Sequence, residues 1–213
     1  MSANHKTNEE YISMKSKRWI PWVGIVFMTS IVIVVSAFLF ADIRLMSSRF
    51  TQNSSMASST GSTQSFQQIQ PTKTGLVVGG GERLARELQD RIARQLEGNP
   101  LFGQIELLPS IIDKTGYPIL VVEIAPPDIS WTPIVAQADL KVTVSYASDG
   151  DTSFRLTRPV EFKNTGEQPV LKRSGEYTFS DLSRGLISSP GYINYLANQI
   201  TRSIVKDLTR ENE

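Results

Sequence analysis

The apolar positions divide this chain into three stretches of different character. The first is continuous. From Trp19 to Ala41 the run WIPWVGIVFMTSIVIVVSAFLFA holds no charged residue over 23 positions. A helix rises ~1.5 Å per residue, so ~20 such residues span the hydrocarbon core of a bilayer. Trp19 and Trp22 stand at one end, where indole rings favour the headgroup zone. Pro21 falls in the first turn of the predicted helix, where a missing N–H costs little. Thr29, Ser30 and Ser36 can bond back to the helix's own carbonyls. Residues 19–41 are therefore read as a transmembrane helix, preceded by a short tail, residues 1–18.

The second stretch is polar and sparse. Ser47 to Thr74 reads SSRFTQNSSMASSTGSTQSFQQIQPTKT, rich in Ser, Thr and Gln, with little charge. Such composition buries too little surface to offset its ordering entropy. Residues 42–74 are expected to form a disordered linker, reaching on the order of 30 Å root-mean-square. Phe50, Phe66 and Ile69 are candidate local sticking points, with plain disorder the expectation.

The third stretch, residues 75–213, is periodic and of a usual size for one domain. Gly75–Val78 predicts a short strand, and Gly79-Gly80-Gly81 opens a helix, ERLARELQDRIARQLEG. In it Leu84, Leu88, Ile92 and Leu96 recur every four residues. Glu82–Arg86, Glu87–Arg91 and Asp90–Arg94 support its outer face. Gly98 and Pro100 end it. Strands are predicted over Gln104–Leu108, Ile119–Ala125, Asp139–Tyr146, about Phe154–Phe162, and Glu176–Phe179. In the fourth of these Arg158 falls in the apolar register, just before Pro159. Asp149-Gly150 marks a hairpin turn. A last helix is capped by Ser189, opened by Pro190 and striped by Ile193, Leu196, Ala197, Ile200, Ile204 and Leu208. This order predicts an α+β domain of two layers, an antiparallel sheet with two helices packed on one face.

Charge follows the same division. Lys plus Arg is 22 and Asp plus Glu is 21, a net of +1, but from Leu76 onward 15 basic against 18 acidic residues leave -3. A balanced charge gives no pull towards nucleic acid. Lys6, Lys15, Lys17 and Arg18 precede the apolar run, and Arg44 and Arg49 follow it. The excess predicts a cytoplasmic N-terminus and an extracytoplasmic C-terminal domain in the inner (plasma) membrane. A cleaved signal peptide is the competing reading, with Val35-Ser36-Ala37 as its cleavage site, although its apolar core would be long. There is no Cys, so no disulfide, thiol nucleophile, Cys-type metal site or lipid-anchored cysteine is available. His5 is the only histidine and sits in the polar tail, which argues against a Ser-His-Asp triad or a His-ligated metal. No cofactor, metal site or catalytic residue is assigned.

Four features invite a chemical reading. The Gly79–Gly81 turn lacks the Lys-Ser/Thr of a phosphate loop, and Leu84 occupies the place where a dinucleotide fingerprint needs a small residue. Asp149 and Asp151 flank Gly150 without the spacing of a calcium loop. Asp113, Glu123, Asp128 and Asp139 are the carboxylates from which a hydrolase pair would be drawn. The fourth feature is Pro126-Pro127-Asp128-Ile129-Ser130-Trp131-Thr132-Pro133, a proline-bracketed loop displaying Trp131. An aromatic on a stiff loop is a contact anchor for a partner or for the membrane interface. Its alternative is to fold back on the core. Trp131, Pro127 and Pro133 are the candidate contact residues.

The helix RLARELQDRIARQLEGNPLF, then GQIELLP, ADLKVTVSYASDG and a final amphipathic helix give an order of elements that resembles a known class. It is similar to the extracytoplasmic domains of bacterial envelope accessory lipoproteins, among them the lipopolysaccharide-assembly lipoprotein and the transport-auxiliary lipoproteins whose fold is related to the TolB N-terminal domain. The resemblance spans about Leu76 to Leu208 and rests on no residue motif. Those proteins carry a lipidated Cys where this chain has an apolar run, so no partner or site residue transfers. The apolar anchor, the flexible tether and the absence of a catalytic residue set lead to the expectation of a binding or assembly factor of the bacterial cell envelope, anchored by one helix and non-catalytic, working with the bilayer and other envelope proteins. A carboxylate hydrolase of the envelope and an extracytoplasmic ligand sensor are the alternatives. The sensor is disfavoured because 18 tail residues leave no room for an output domain.

Overall fold

A computed structural model describes residues 8–60, 71–110, 114–153 and 171–209. The chain divides into two compact units, one ending at Ala41 and one beginning at Asp42. Among its described residues the first contains one helix, α1 (Asn8–Phe40). Its segment Trp22–Phe40, 19 residues, is long and apolar enough to cross a membrane. The helix starts 11 residues before the apolar run, at Asn8. Pro21 therefore lies inside it rather than in its first turn. Thr29 and Ser30 donate to the carbonyls of Ile25 and Val26, the local bonding that polar residues in an apolar helix require.

The second unit is an α+β domain. Its elements are β1 (Arg44–Thr60), β2 (Lys73–Gly79), α2 (Glu82–Leu96), β3 (Gln104–Leu107), β4 (Ile119–Ile124), β5 (Asp128–Trp131), β6 (Val135–Ala147), β7 (Leu171–Ile187) and α3 (Ser189–Thr209). The seven strands form one sheet in the order β1-β7-β6-β4-β2-β3, with β5 also paired to β6. The sheet is mixed, not wholly antiparallel as expected: β2 runs parallel to both β3 and β4. The helix α2 makes the β2–β3 pair parallel, because a helical crossover returns the chain to the same end of the sheet, and the connection after β3 crosses back to place β4 on the other side of β2.

Both α2 and α3 contribute to one core with the sheet. Leu84, Leu88, Ile92 and Leu96 meet Leu196, Ile200, Ile204 and Leu208 over Leu120, Val122, Leu140 and Val144. Each aliphatic side chain so buried contributes about 1.5–3 kcal/mol. The opposite face carries a smaller cluster, where Leu108 turns against Val77, Ile119 and Val121. Gly80 takes φ +94°, and a Cβ there would lie 2.1 Å from the Ile124 carbonyl oxygen, so the turn before α2 must be glycine. Gly98, at φ +81°, ends the helix as expected. At α3 the cap is Ser188, one residue earlier than the sequence indicated. Its Oγ accepts from the Gly191 N–H at 3.1 Å and from the Ile43 N–H at 2.9 Å.

The largest departure is β1. Composition made residues 42–74 a disordered linker, but Arg44–Thr60 pairs over 17 residues with β7. The partner strand supplies the hydrogen bonds, and every second or fourth residue supplies a contact. Met46, Phe50 and Met56 pack against the core. Phe50 stacks on Phe179 at 5.7 Å and meets Tyr195 edge-on at 6.4 Å. Ser48 shares a 2.6 Å hydrogen bond with Tyr195, and Ser203 donates to Gln52. β7 is likewise far longer than Glu176–Phe179, because its inward register holds Arg173, Gly175, Asp181 and Ser183 beside Tyr177 and Phe179. The strand expected over Phe154–Phe162, with Arg158, lies outside the described residues, as do Asp113 and positions 61–70.

Candidate functional site

The proline-bracketed segment is not one loop. Pro126 and Pro127 interrupt the line between β4 and β5, which lie beside successive parts of β6. Pro127 packs near Gly81, at the start of α2. Thr132 to Val135 then forms a tight turn closed by the Thr132 N–H on the Val135 carbonyl at 2.8 Å. Pro133 and Ile134 are its tip, and proline suits the first tip position. Trp131 lies before that turn, opposite Ala136 and therefore on the helix-covered face. Its ring is half-buried against the core and its Nε1 donates to the Ile187 carbonyl at 3.1 Å. Ile187 in turn donates its N–H to the Pro133 carbonyl at 3.0 Å. The structure thus brings Trp131 and Pro133 together at the end of β7, and leaves Pro127 before the opposite end of β5, beside Gly81. Trp131 folds back and fixes the turn.

What the turn presents is aliphatic. Among the described residues after Ala41, six large hydrophobics are exposed, and five of them sit at this end of the sheet: Leu45, Ile134, Val135, Leu182 and Leu186. The sixth, Leu107, is on the far edge strand. Leu45 stands opposite Leu186, and Val135 opposite Arg184. Ile134 is 64% exposed at a turn tip, a position that usually carries a polar residue. Sequence reading missed this surface because its residues come from β1, the turn and β7, which are far apart in the chain.

A second cluster is polar and buried. Asp181, 2% exposed, accepts from Ser183 at 2.7 Å and from Tyr192 at 2.9 Å on Oδ2. Tyr195 approaches Oδ1 at 3.4 Å. Burial, followed by the Asp181 contact, pushes the Tyr192 phenol well above its ordinary range. Arg173, also buried, donates from Nη1 to the Leu208 carbonyl at 2.8 Å and so caps the last turn of α3. Burial lowers its guanidinium pKa. Each of these polar groups is engaged in holding α3 to the sheet.

The remaining sequence candidates separate. Asp128 and Asp139 are direct cross-strand neighbours on the exposed face. Glu123 lies on β4, opposite Thr143. Asp149 and Asp151 both face Lys172 Nζ, at 3.3 and 3.7 Å, so a side-chain ammonium supplies the positive charge between them. The Gly79–Gly81 turn is packed on Ile124 and Pro127.

No protein-family model matches the chain, and no curated protein sequence matches it. Among solved structures, the PelC dodecamer from Paraburkholderia phytofirmans is similar at 8% identity and a TM-score of 0.39, over 75% of this chain and 100% of that one. A point variant of the same PelC dodecamer scores identically. At that score the likeness carries no conclusion about partner or function.

Proposed function

We propose that this chain is a single-pass protein of the bacterial inner membrane whose extracytoplasmic α+β domain works by binding, as an accessory or assembly factor of the cell envelope. The observation that carries the reading is the apolar helix joined to the domain by a very short connection. Trp22–Phe40 has the length and composition of a membrane span, and β1 begins at Arg44. The basic excess before the helix supports a cytoplasmic N-terminus. The buried polar groups of the domain serve packing, and the exposed surface that stands out is an apolar one, as a contact surface requires.

Two measurements test this. Protease added to spheroplasts removes the C-terminal domain, whereas a protected C-terminus overturns the topology, and a chain shortened at Ala37 in untreated cells marks a cleaved leader. Crosslinking in cells, with a photoreactive residue on the domain, captures envelope proteins. Capture of none of them, with the domain folded, ends the accessory reading. The hydrolase alternative rests on Asp128 and Asp139, the two candidate carboxylates that the structure places side by side. An Asp139→Asn chain that supports envelope assembly as well as the parent removes that alternative.

A further inference from the structure

We infer that the exposed end of the sheet formed by the starts of β1 and β6, the end of β7 and the Pro133-Ile134 turn seats on an anionic lipid surface. The inference rests on the anchored reading above and adds what the domain does at the bilayer. Three observations carry it.

The first is composition by level. On the exposed face, strand register places Leu45 beside Leu186 at the very end, with Ile134 on the adjoining turn. One step inward stand Ser47, Arg184 and Val135, and one step further Arg49, Leu182 and Gln137. The next level brings Thr51, Ser180 and the first carboxylate of this face, Asp139, which faces Asp128. Alternate residues on a strand are ~6.6 Å apart. On this face apolar groups thus come first, arginines follow at the depth of a headgroup layer, and carboxylates begin about 20 Å from the end; Asp42, just before β1, is off this face, neutralised by Arg44 at 2.9 Å and accepting from Asn194. This order matches an interface in cross-section: aliphatic tips at the acyl boundary, guanidinium groups at the phosphates, carboxylates in water. Arginine stems reach along apolar surface while their heads stay polar, which suits Arg49 and Arg184.

The second is reach. Arg44 follows Ala41, the end of the apolar run, by three residues. Three residues extend at most ~10 Å, so the chain itself keeps the start of β1 at the membrane surface. The third is rigidity. Trp131 and the paired backbone of Ile187 hold the turn in place, so Ile134 is presented without an ordering cost at each contact.

The chain has no cysteine, so single labels are clean. The full-length protein is reconstituted in vesicles of phosphatidylcholine alone and of phosphatidylcholine with one-third phosphatidylglycerol. A nitroxide is placed at Ile134→Cys and, as a second site should that turn be perturbed, at Ser47→Cys. Asn53→Cys on the same face of β1 and Val26→Cys in α1 are the references. The ratio of oxygen to water-soluble nickel accessibility is expected to rise several-fold at positions 134 and 47 relative to 53 in the anionic vesicles. It is expected to fall back with Arg49→Gln plus Arg184→Gln, or in high salt. Lipid at position 26 with water at 134 and 47 overturns the seat alone. Water at position 26 overturns the anchored reading and the seat with it. Protection at 134 accompanied by label–label broadening, and indifferent to lipid charge, overturns it in favour of a second copy of the chain.

Discussion

At the residue scale, the domain is governed by polar and aromatic groups buried in registers that pattern reading assigns to aliphatic ones. Asp181 is the clearest case. Removing its carboxylate leaves the Tyr192 and Ser183 hydroxyls without their acceptor inside the core. Asp181→Ala is expected to cost about 3 kcal/mol, read as a shift of the urea midpoint, while Asp181→Asn, which keeps one acceptor, costs less. Equal loss in both variants would show that the carboxylate charge, not the acceptor, matters. Tyr146 gives a pH dependence. Burial pushes its phenol from 10.0 up to about 12, and burial also raises Tyr177 and Tyr192. A folded state that raises these values favours the neutral phenol. That contribution is complete below pH 10 and is lost as pH rises through the folded values. Denaturation midpoints are therefore expected to hold steady to about pH 10 and fall steeply above it, with a shallower fall in Tyr146→Phe. A midpoint flat to pH 12 would contradict it.

At the element scale, β1 is the surprise, and its cause is tertiary. Taken alone, Arg44–Thr60 has the composition of a linker, with apolar side chains only at scattered positions. β7 supplies a backbone ladder along its whole length, and α3 supplies Tyr195 and Ser203 as partners. Such an edge strand bonds on one side only. Hydrogen exchange is expected to show alternate amides of residues 45–59 protected and their neighbours fast. Uniformly fast exchange throughout would deny the strand. The caps are simpler. Ser188→Ala removes the acceptor for both the Gly191 and Ile43 N–H groups and is expected to cost about 2 kcal/mol, the upper part of the usual capping range, measurable by thermal denaturation. The helices were legible because a fourfold apolar period survives any context. β6 was legible in its alternation, and β7 was not, because Gly175, Asp181 and Ser183 occupy its inward positions.

At the scale of the whole molecule, the loss of the linker changes how the domain is held. A flexible tether over residues 42–74 would let it roam on the order of 30 Å, but with β1 folded only Ala41, Asp42 and Ile43 separate helix and strand. Truncation tests this. A chain starting at Asp42 is expected to be more stable than one starting at Pro71, which keeps β2 whole, by about 3 kcal/mol or more, since the latter uncovers Phe179 and Tyr195. Equal melting temperatures would return Arg44–Thr60 to the linker.

The sequence by itself determined the apolar span, the two amphipathic helices, the α+β class and the absence of thiol chemistry. Those follow from composition and local period, which a neighbour cannot undo. Tertiary structure alone decided the β1 pairing, the parallel strands around β2, the inward turn of Trp131 and the apolar end of the sheet. Each depends on register between segments far apart in the chain, such as Lys73 with Gln104, Leu45 with Leu186 or Trp131 with Ile187. A one-residue slip of register turns a strand's outward side chains inward, so these contacts exist only once the sheet has assembled.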